Sequence, residues 1–165
     1  ITFSFQSMTI TAVRLKGVVQ HYDWGITGGG EHGVVAQMAL AQEEPTKPFA
    51  EIWFGTHPAA PAELIDGDQK PEDDQAVAQF LREKGTGTSL CKFLEASPDF
   101  LGSKTMERFG SALPFLLKCL SVAKPLSIQA HPDKGLAEML NARDPKNYKD
   151  NNHKPELALA VTEFE

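Results

Sequence analysis

The chain has 165 residues, and its 16 Lys and Arg against 22 Asp and Glu give a formal charge of −6, which argues against a general nucleic-acid binder. Hydrophobic residues make up 41% of the chain, enough for a buried core, which excludes disorder throughout. Two cysteines, Cys91 and Cys119, cannot form a disulfide framework, which excludes a small secreted disulfide-rich protein.

The first half of the chain is predicted to hold strands and one short helix. The pattern predicts strands over residues 13–20, 49–55 and 62–65, with a glycine-rich loop over 25–33 and a helix over 34–41. Within this loop, residues 28–33 (GGGEHG) formally match a dinucleotide-binding fingerprint. Seven residues, 21–27, separate them from the preceding strand, and Pro45 and Pro48 interrupt the βαβ unit that this fingerprint needs, so nicotinamide binding is a distant alternative.

The second half is predicted to begin with helices and to return to strands. Helices are expected after Pro71, after a cap at Thr88 or Ser89, and around Met106 and Phe109. Strands are expected over 113–122, 125–131 and 156–164. Asp133 is expected to cap a helix that turns Leu136, Met139 and Leu140 inward.

From the sequence we expect neither a membrane-spanning segment nor an export signal. Lys118 interrupts the longest apolar run, residues 113–122, which falls short of the ~18 residues that span a bilayer. Residues 1–11 lack a basic start and a long apolar stretch, so we expect no signal peptide there. Both cysteines lie among apolar residues, as reduced thiols of cytosolic proteins do. We therefore expect a cytoplasmic protein with no membrane partner and no nucleic-acid partner.

The strand over 125–131 carries candidate metal ligands. Because strand side chains alternate between faces, Ser127, Gln129 and His131 share one face. Glu156 opens the last predicted strand, and if the two strands adjoin, Gln129, His131 and Glu156 offer one imidazole nitrogen and two oxygens, a set that suits zinc with an open position. The alternative is an ordinary half-exposed sheet face that carries polar groups.

Lys118 is a candidate anion-binding residue because apolar residues surround it in the sequence. A buried ammonium is unfavourable unless it has a partner, and a phosphate would serve. The segment 118–154 has seven bases and four acids, a net charge of +3, whereas residues 63–83 carry −5, so a small anion would prefer the later segment. The alternatives are an edge-strand lysine that reaches water and scattered surface lysines.

Five segments, taken in order, resemble the signatures of one enzyme family. They are 20–25 (QHYDWG), 48–58 (PFAEIWFGTHP), 113–118 (LPFLLK), 125–134 (PLSIQAHPDK) and 152–156 (NHKPE). Together they resemble type I phosphomannose isomerase, also called mannose-6-phosphate isomerase, in its amino-terminal part. The resemblance implies a mainly β fold, a cupin-type jelly roll with a helical insertion. It places an incomplete cupin-like β region over 12–70 and 111–165 and the insertion over 71–110.

The resemblance also implies a role for nine residues. It makes Gln129, His131 and Glu156 ligands of Zn2+, places Lys118 and Ser127 at the substrate phosphate and Trp24 and Glu51 in the pocket wall, and puts Lys154 and Lys134 beside the reacting sugar as catalytic groups. A fourth zinc ligand, a histidine, is expected beyond residue 165, as is a later arginine. We therefore expect this chain to be the front portion of a longer protein.

The implied reaction interconverts mannose 6-phosphate and fructose 6-phosphate through an enediol, with zinc as a Lewis acid. A lysine base must have its pKa lowered from about 10.4 to act at neutral pH. Lys154 is the preferred acid–base group, and its rival role is to bind the anionic substrate. The resemblance suggests a monomer that works in GDP-mannose biosynthesis or in the use of mannose as fuel.

Two alternatives for the isolated chain stay open. The first is a non-catalytic, metal-binding cupin fragment that binds sugar phosphate. The second is a fragment without function, because jelly-roll strands pair with distant strands and unpaired edges promote aggregation.

Overall fold

The computed structural model describes residues 13–30, 33–39, 44–65, 80 and 83–163. The chain divides into two units, Ile1–Pro125 and Leu126–Glu165. The described elements of the first unit are β1 (Leu15–Lys16), β2 (Val18–Gln20), β3 (Ile26–Thr27), α1 (Val34–Met38), β4 (Pro48–Phe49), β5 (Glu51–Phe54), β6 (Glu63–Leu64), α2 (Leu90–Ala96), a 3₁₀ turn (Pro98–Leu101), α3 (Ser103–Phe109) and β7 (Leu117–Leu120). The second unit contains α4 (Lys134–Arg143).

The first predicted strand is divided at Gly17 into two short strands with different partners. β1 pairs antiparallel with β6, whereas β2 pairs antiparallel with β5. Gly17 lies where no side chain fits, because a Cβ there would come within 2.6 Å of Ile52 Cγ1. The missing side chain lets the chain pass close to β5 as it moves from one pairing to the other.

A three-stranded antiparallel sheet, in the order β2-β5-β7, is the frame of the first unit. Val19 lies opposite Ile52, and Ile52 lies opposite Cys119, so these side chains share one face. That face packs against the buried residues Val35 and Ala36 of α1. The alternation of the strands therefore gives the sheet an apolar face under α1 and a second face that carries the polar residues of β5 and β7.

A distant serine caps α1. The residue before the helix, Gly33, has no side chain to bond the free amides of the first turn, and the backbone N–H of Val35 donates to Ser121 Oγ at 3.0 Å. Ser121 is buried, at 3% exposure. The bond therefore joins the end of β7 to the start of α1.

Ser121→Ala should lower the free energy of unfolding by about 1–3 kcal/mol, because it leaves a buried N–H without its acceptor. Urea unfolding followed by circular dichroism measures the change. Ser111→Ala, in the turn before β7, serves as the matched control and should change the stability by less than about 0.5 kcal/mol. Equal stability of Ser121→Ala and the unaltered chain would contradict this role.

The helices of the first unit enclose a second apolar core. Leu64 of β6 packs with Leu90, Phe93 and Leu94 of α2, and Phe80 meets Phe93 edge to face at 5.1 Å. Ser89 caps α2 by accepting from the N–H of Lys92 at 3.4 Å, so the predicted cap at this position is confirmed. Most of the helix predicted after Pro71 lies outside the described residues.

The glycine-rich loop lies within an antiparallel arrangement. β3 precedes Gly28 and pairs antiparallel with β4, and the N–H of Gly28 donates to the carbonyl of Lys47 at 2.9 Å. A dinucleotide fingerprint needs a strand, a helix and a parallel strand. The antiparallel pairing of β3 with β4, on either side of α1, thus disfavours the nicotinamide alternative.

In the second unit, the predicted cap of α4 is confirmed, because Asp133 Oδ1 accepts from the N–H of Leu136 at 2.9 Å. The predicted inward face is wrong in part: Leu136 and Met139 are 40% and 57% exposed, and Ala137 is the residue that is buried. None of the described helices is long and apolar enough to cross a membrane.

Two predicted strands of this unit are absent from its described residues. The structure assigns no strand to 125–131 or to 156–163, and Ile128 and Leu157 are fully exposed. An alternating pattern specifies which side chains would face a core, whereas a strand also needs a neighbour to accept its backbone hydrogen bonds. The described part of this unit provides no such neighbour.

Candidate functional site

The polar face of the three-stranded sheet gathers two charged residues and a tryptophan. Trp53 lies opposite Lys118 in the β5–β7 register, and Glu51 is two residues before Trp53, so all three side chains share a face. We call Glu51, Trp53 and Lys118 the sheet-face trio. It lies on the side of the sheet opposite to α1, because Ile52 and Phe54 face that helix.

The members of the sheet-face trio contact one another directly. Lys118 Nζ lies 3.2 Å from Glu51 Oε2 and 4.7 Å from the centre of the Trp53 ring. Trp53 Nε1 donates a hydrogen bond to the same Glu51 oxygen. The Glu51 and Lys118 side chains are 8% and 23% exposed. A carboxylate this buried is stable because a cation and an N–H both compensate its charge.

The partner that the half-buried ammonium of Lys118 requires is therefore present within the protein. The sequence pointed to a phosphate, and the structure pairs Lys118 with Glu51. The lysine is neither deeply buried nor free, and an anion that bound it would share it with this carboxylate. The predicted role of Lys118 in phosphate binding stays a prediction.

Aromatic residues surround the sheet-face trio. His57 meets the Trp53 ring edge to face, with ring centres 5.0 Å apart. Tyr22 and the half-buried Trp24 stack at 5.8 Å with 23° between their planes. Burial, followed by the negative charge of Glu51, raises the pKa of Tyr22, so this phenol stays protonated near the carboxylate. Trp24 and Glu51 are thus connected through Tyr22, and their shared place in a pocket wall stays a prediction.

Sequence reasoning missed Trp53 and Tyr22. Trp53 lies two residues from Glu51 in the predicted strand 49–55, where residues at this spacing share a face, and that spacing was the available signal. Tyr22 and Trp24 lie between strands, where this rule does not apply.

The second unit brings together two further pairs of predicted residues. Gln129 Nε2 donates to Ser127 Oγ at 3.0 Å, and His131 Nε2 lies 3.9 Å from Glu156 Oε2. His131 and Glu156 are 25 positions apart in the sequence, so the fold of this unit is what joins them. Lys134 begins α4, and Lys154 precedes Glu156 by two residues; both are exposed.

The donor atoms of this pair fit a zinc ligand set. In a tetrahedral zinc site an imidazole nitrogen and a carboxylate oxygen, each about 2.0–2.2 Å from the ion, lie about 3.3–3.5 Å apart. The His131 and Glu156 atoms are 3.9 Å apart, so they would approach each other by a few tenths of an ångström to share one ion. Within the described residues, no three His, Cys, Asp or Glu side chains form a cluster that could hold a metal ion, and the role of Gln129 as a ligand stays a prediction.

Comparison with known proteins identifies the family. Residues 12–165 match the model of phosphomannose isomerase type I, catalytic domain. The chain is 43% identical over 154 residues to mannose-6-phosphate isomerase 1 of Arabidopsis thaliana and 44% identical over 160 residues to mannose-6-phosphate isomerase of Candida albicans. In each case the match covers 92% of this chain and 32% of the relative. The chain thus spans about a third of the length of these relatives.

Solved structures agree with the sequence comparison. Mannose 6-phosphate isomerase from Salmonella typhimurium, solved with its substrate (f6p) and zinc, gives a TM-score of 0.59 at 32% identity over 85% of this chain and 32% of that chain. Another structure of the enzyme holds zinc and yttrium. This likeness confirms the predicted fold class, a cupin-type fold of which the chain holds a part. The chain belongs to the type I phosphomannose isomerase family.

Proposed function

We propose that the natural polypeptide containing this chain interconverts mannose 6-phosphate and fructose 6-phosphate by way of an enediol. The family match over residues 12–165 is the observation that carries this proposal. Two pairs of residues support it. His131 and Glu156 supply atoms that can bind a metal ion. Lys118, paired with Glu51, supplies a cation that can bind a phosphate.

Gln129, His131 and Glu156 would hold zinc, with a histidine beyond residue 165 as the fourth ligand. The bound ion would supply Lewis-acid stabilisation of the negative charge that develops on the sugar oxygens. The 3.9 Å separation of the His131 and Glu156 atoms supports two of these assignments. The hydrogen bond from Gln129 to Ser127 fixes the amide through its nitrogen and leaves its oxygen for a metal.

Lys118 and Ser127 would bind the substrate phosphate, and Trp24 and Glu51 would line the sugar pocket. Lys118 carries the charge, whereas the Ser127 hydroxyl can donate to a phosphate oxygen. The Glu51 carboxylate would also orient the ammonium of Lys118. Lys154 would move the proton between C1 and C2 at its Nζ, and Lys134 would contact the anionic substrate beside it.

The remaining proposals concern the cellular compartment, the oligomeric state and the pathway of the enzyme. We propose a cytoplasmic monomer that supplies mannose 6-phosphate for GDP-mannose or consumes it as fuel. Two free cysteines support a reducing compartment, and burial raises the pKa of the Cys91 thiol, which lowers its reactivity.

An isomerase assay tests the proposal. The natural full-length polypeptide, incubated with mannose 6-phosphate and coupled through phosphoglucose isomerase to a glucose 6-phosphate readout, should turn over, and a chelator should abolish the activity. Lys154→Gln should lower kcat by at least about 100-fold, the usual contribution of an acid–base group.

Binding of sugar phosphate without turnover by the unaltered protein would instead favour the non-catalytic alternative. If Lys154→Gln changed KM alone, its role would be anion binding. Lys104→Gln, an exposed lysine of α3, is the matched control and should leave both constants unchanged.

A further inference from the structure

Trp53 is the member of the sheet-face trio that contacts both charged groups. Its ring lies under the Lys118 ammonium at 4.7 Å, and its N–H donates to the Glu51 oxygen that Lys118 also contacts. It is 9% exposed, and His57 packs against it edge to face. The indole is therefore fixed by its surroundings, whereas Lys118 reaches the same point on a flexible four-carbon stem.

The contacts of Trp53 offset the negative charge that Glu51 places beside Lys118. An anion that approaches Lys118 also meets the negative charge of Glu51, 3.2 Å from the ammonium. The Trp53 N–H holds that carboxylate in place and withdraws part of its charge, and the indole face attracts the ammonium without competing for its N–H donors. Lys118 can then keep its position while it donates to a phosphate.

We propose that Trp53 is a positioning residue for phosphate recognition: it orients Lys118 through its ring and Glu51 through its N–H. This inference rests on the proposed function, in which Lys118 binds the phosphate of the substrate. It predicts that Trp53 affects the affinity for the phosphate group by way of Lys118, because the Glu51 carboxylate that it holds acts on the phosphate through the ammonium of Lys118.

Trp53→Phe is the sharpest test, because phenylalanine keeps an aromatic ring and removes the N–H and part of the attraction for a cation. In the natural full-length polypeptide with its metal, KM for mannose 6-phosphate should rise about threefold to tenfold, with kcat changed less than twofold. In a Lys118→Met background, the same substitution should leave KM unchanged within about twofold.

The control is Phe54→Leu, which alters the next residue of β5 on the opposite face, against α1. It should change the melting temperature and leave KM unchanged. Trp53→Tyr serves if Trp53→Phe fails to fold, and should raise KM in the same direction. An unchanged KM in a folded Trp53 variant, or an equal rise with and without Lys118, would overturn the proposal.

Calorimetric titration with inorganic phosphate separates this inference from the proposed function. If the unaltered protein does not turn over mannose 6-phosphate, the proposed function fails. The inference then still stands if Trp53→Phe weakens phosphate binding only when Lys118 is present, and it fails if the substitution has no effect on that binding or acts without Lys118.

Discussion

Replacement of His131 with alanine is expected to remove zinc from the protein and to abolish isomerase turnover. His131 supplies the imidazole nitrogen of the candidate ligand pair, 3.9 Å from Glu156 Oε2. Changes to groups that merely support metal ligands lower metal affinity by about 10- to 100-fold, so loss of a ligand should cost at least about 100-fold. Elemental analysis after dialysis, together with the coupled assay, measures both effects.

His21→Asn is the matched control for this experiment. His21 lies in the first unit, where its Nδ1 bonds the carbonyl of Pro48 at 2.6 Å, and asparagine can keep a hydrogen bond there. The control should retain zinc and turnover. Full zinc content in dialysed His131→Ala protein would show that this histidine is not a ligand.

Lys118→Met should raise KM for mannose 6-phosphate by about tenfold to 100-fold, since a hydrogen bond to a charged group contributes about 1.5–3 kcal/mol. Turnover at saturating substrate should change much less, because the phosphate is remote from the carbons that react. The substitution also leaves the Glu51 carboxylate, 8% exposed, with the Trp53 N–H as its remaining partner in the sheet-face trio. We therefore also expect a loss of stability of about 1–3 kcal/mol.

The two effects can be measured separately. Thermal melting reports stability, and initial rates over a range of substrate concentrations report KM. Lys104→Met, in α3, removes an exposed lysine and should change neither quantity. If KM for Lys118→Met equals that of the unaltered protein, Lys118 serves the fold through Glu51 and does not bind phosphate.

Local interactions account for the features that were predictable from the sequence. Ser89 and Asp133 cap helices by bonding an N–H three residues ahead, so the cap and its partner lie within one turn of chain. The alternation of β5 likewise separates Ile52, which faces α1, from Glu51. Short-range signals of this kind depend little on the rest of the molecule.

Features that depend on distant partners were not predictable in this way. The strand predicted over 156–164 was wrong for its described residues because the pattern of Leu157, Leu159 and Val161 specifies a face and supplies no partner strand. The cap of α1 by Ser121, 86 positions from Val35, has no local signature. The contact of Trp53 with Lys118 also has no local signature, because it follows from the pairing of β5 with β7.

The sequence by itself determined the family, the candidate ligands Gln129, His131 and Glu156, and the lysine that needed a partner, because these depend on residue type and on order along the chain. Only the tertiary structure decided that Lys118 pairs with Glu51 over the face of Trp53, and that His131 approaches Glu156. The physical reason is that these contacts join residues 25 to 67 positions apart, which meet only when the strands pair in register and the chain folds back on itself. The local preferences of the residues do not specify such long-range contacts.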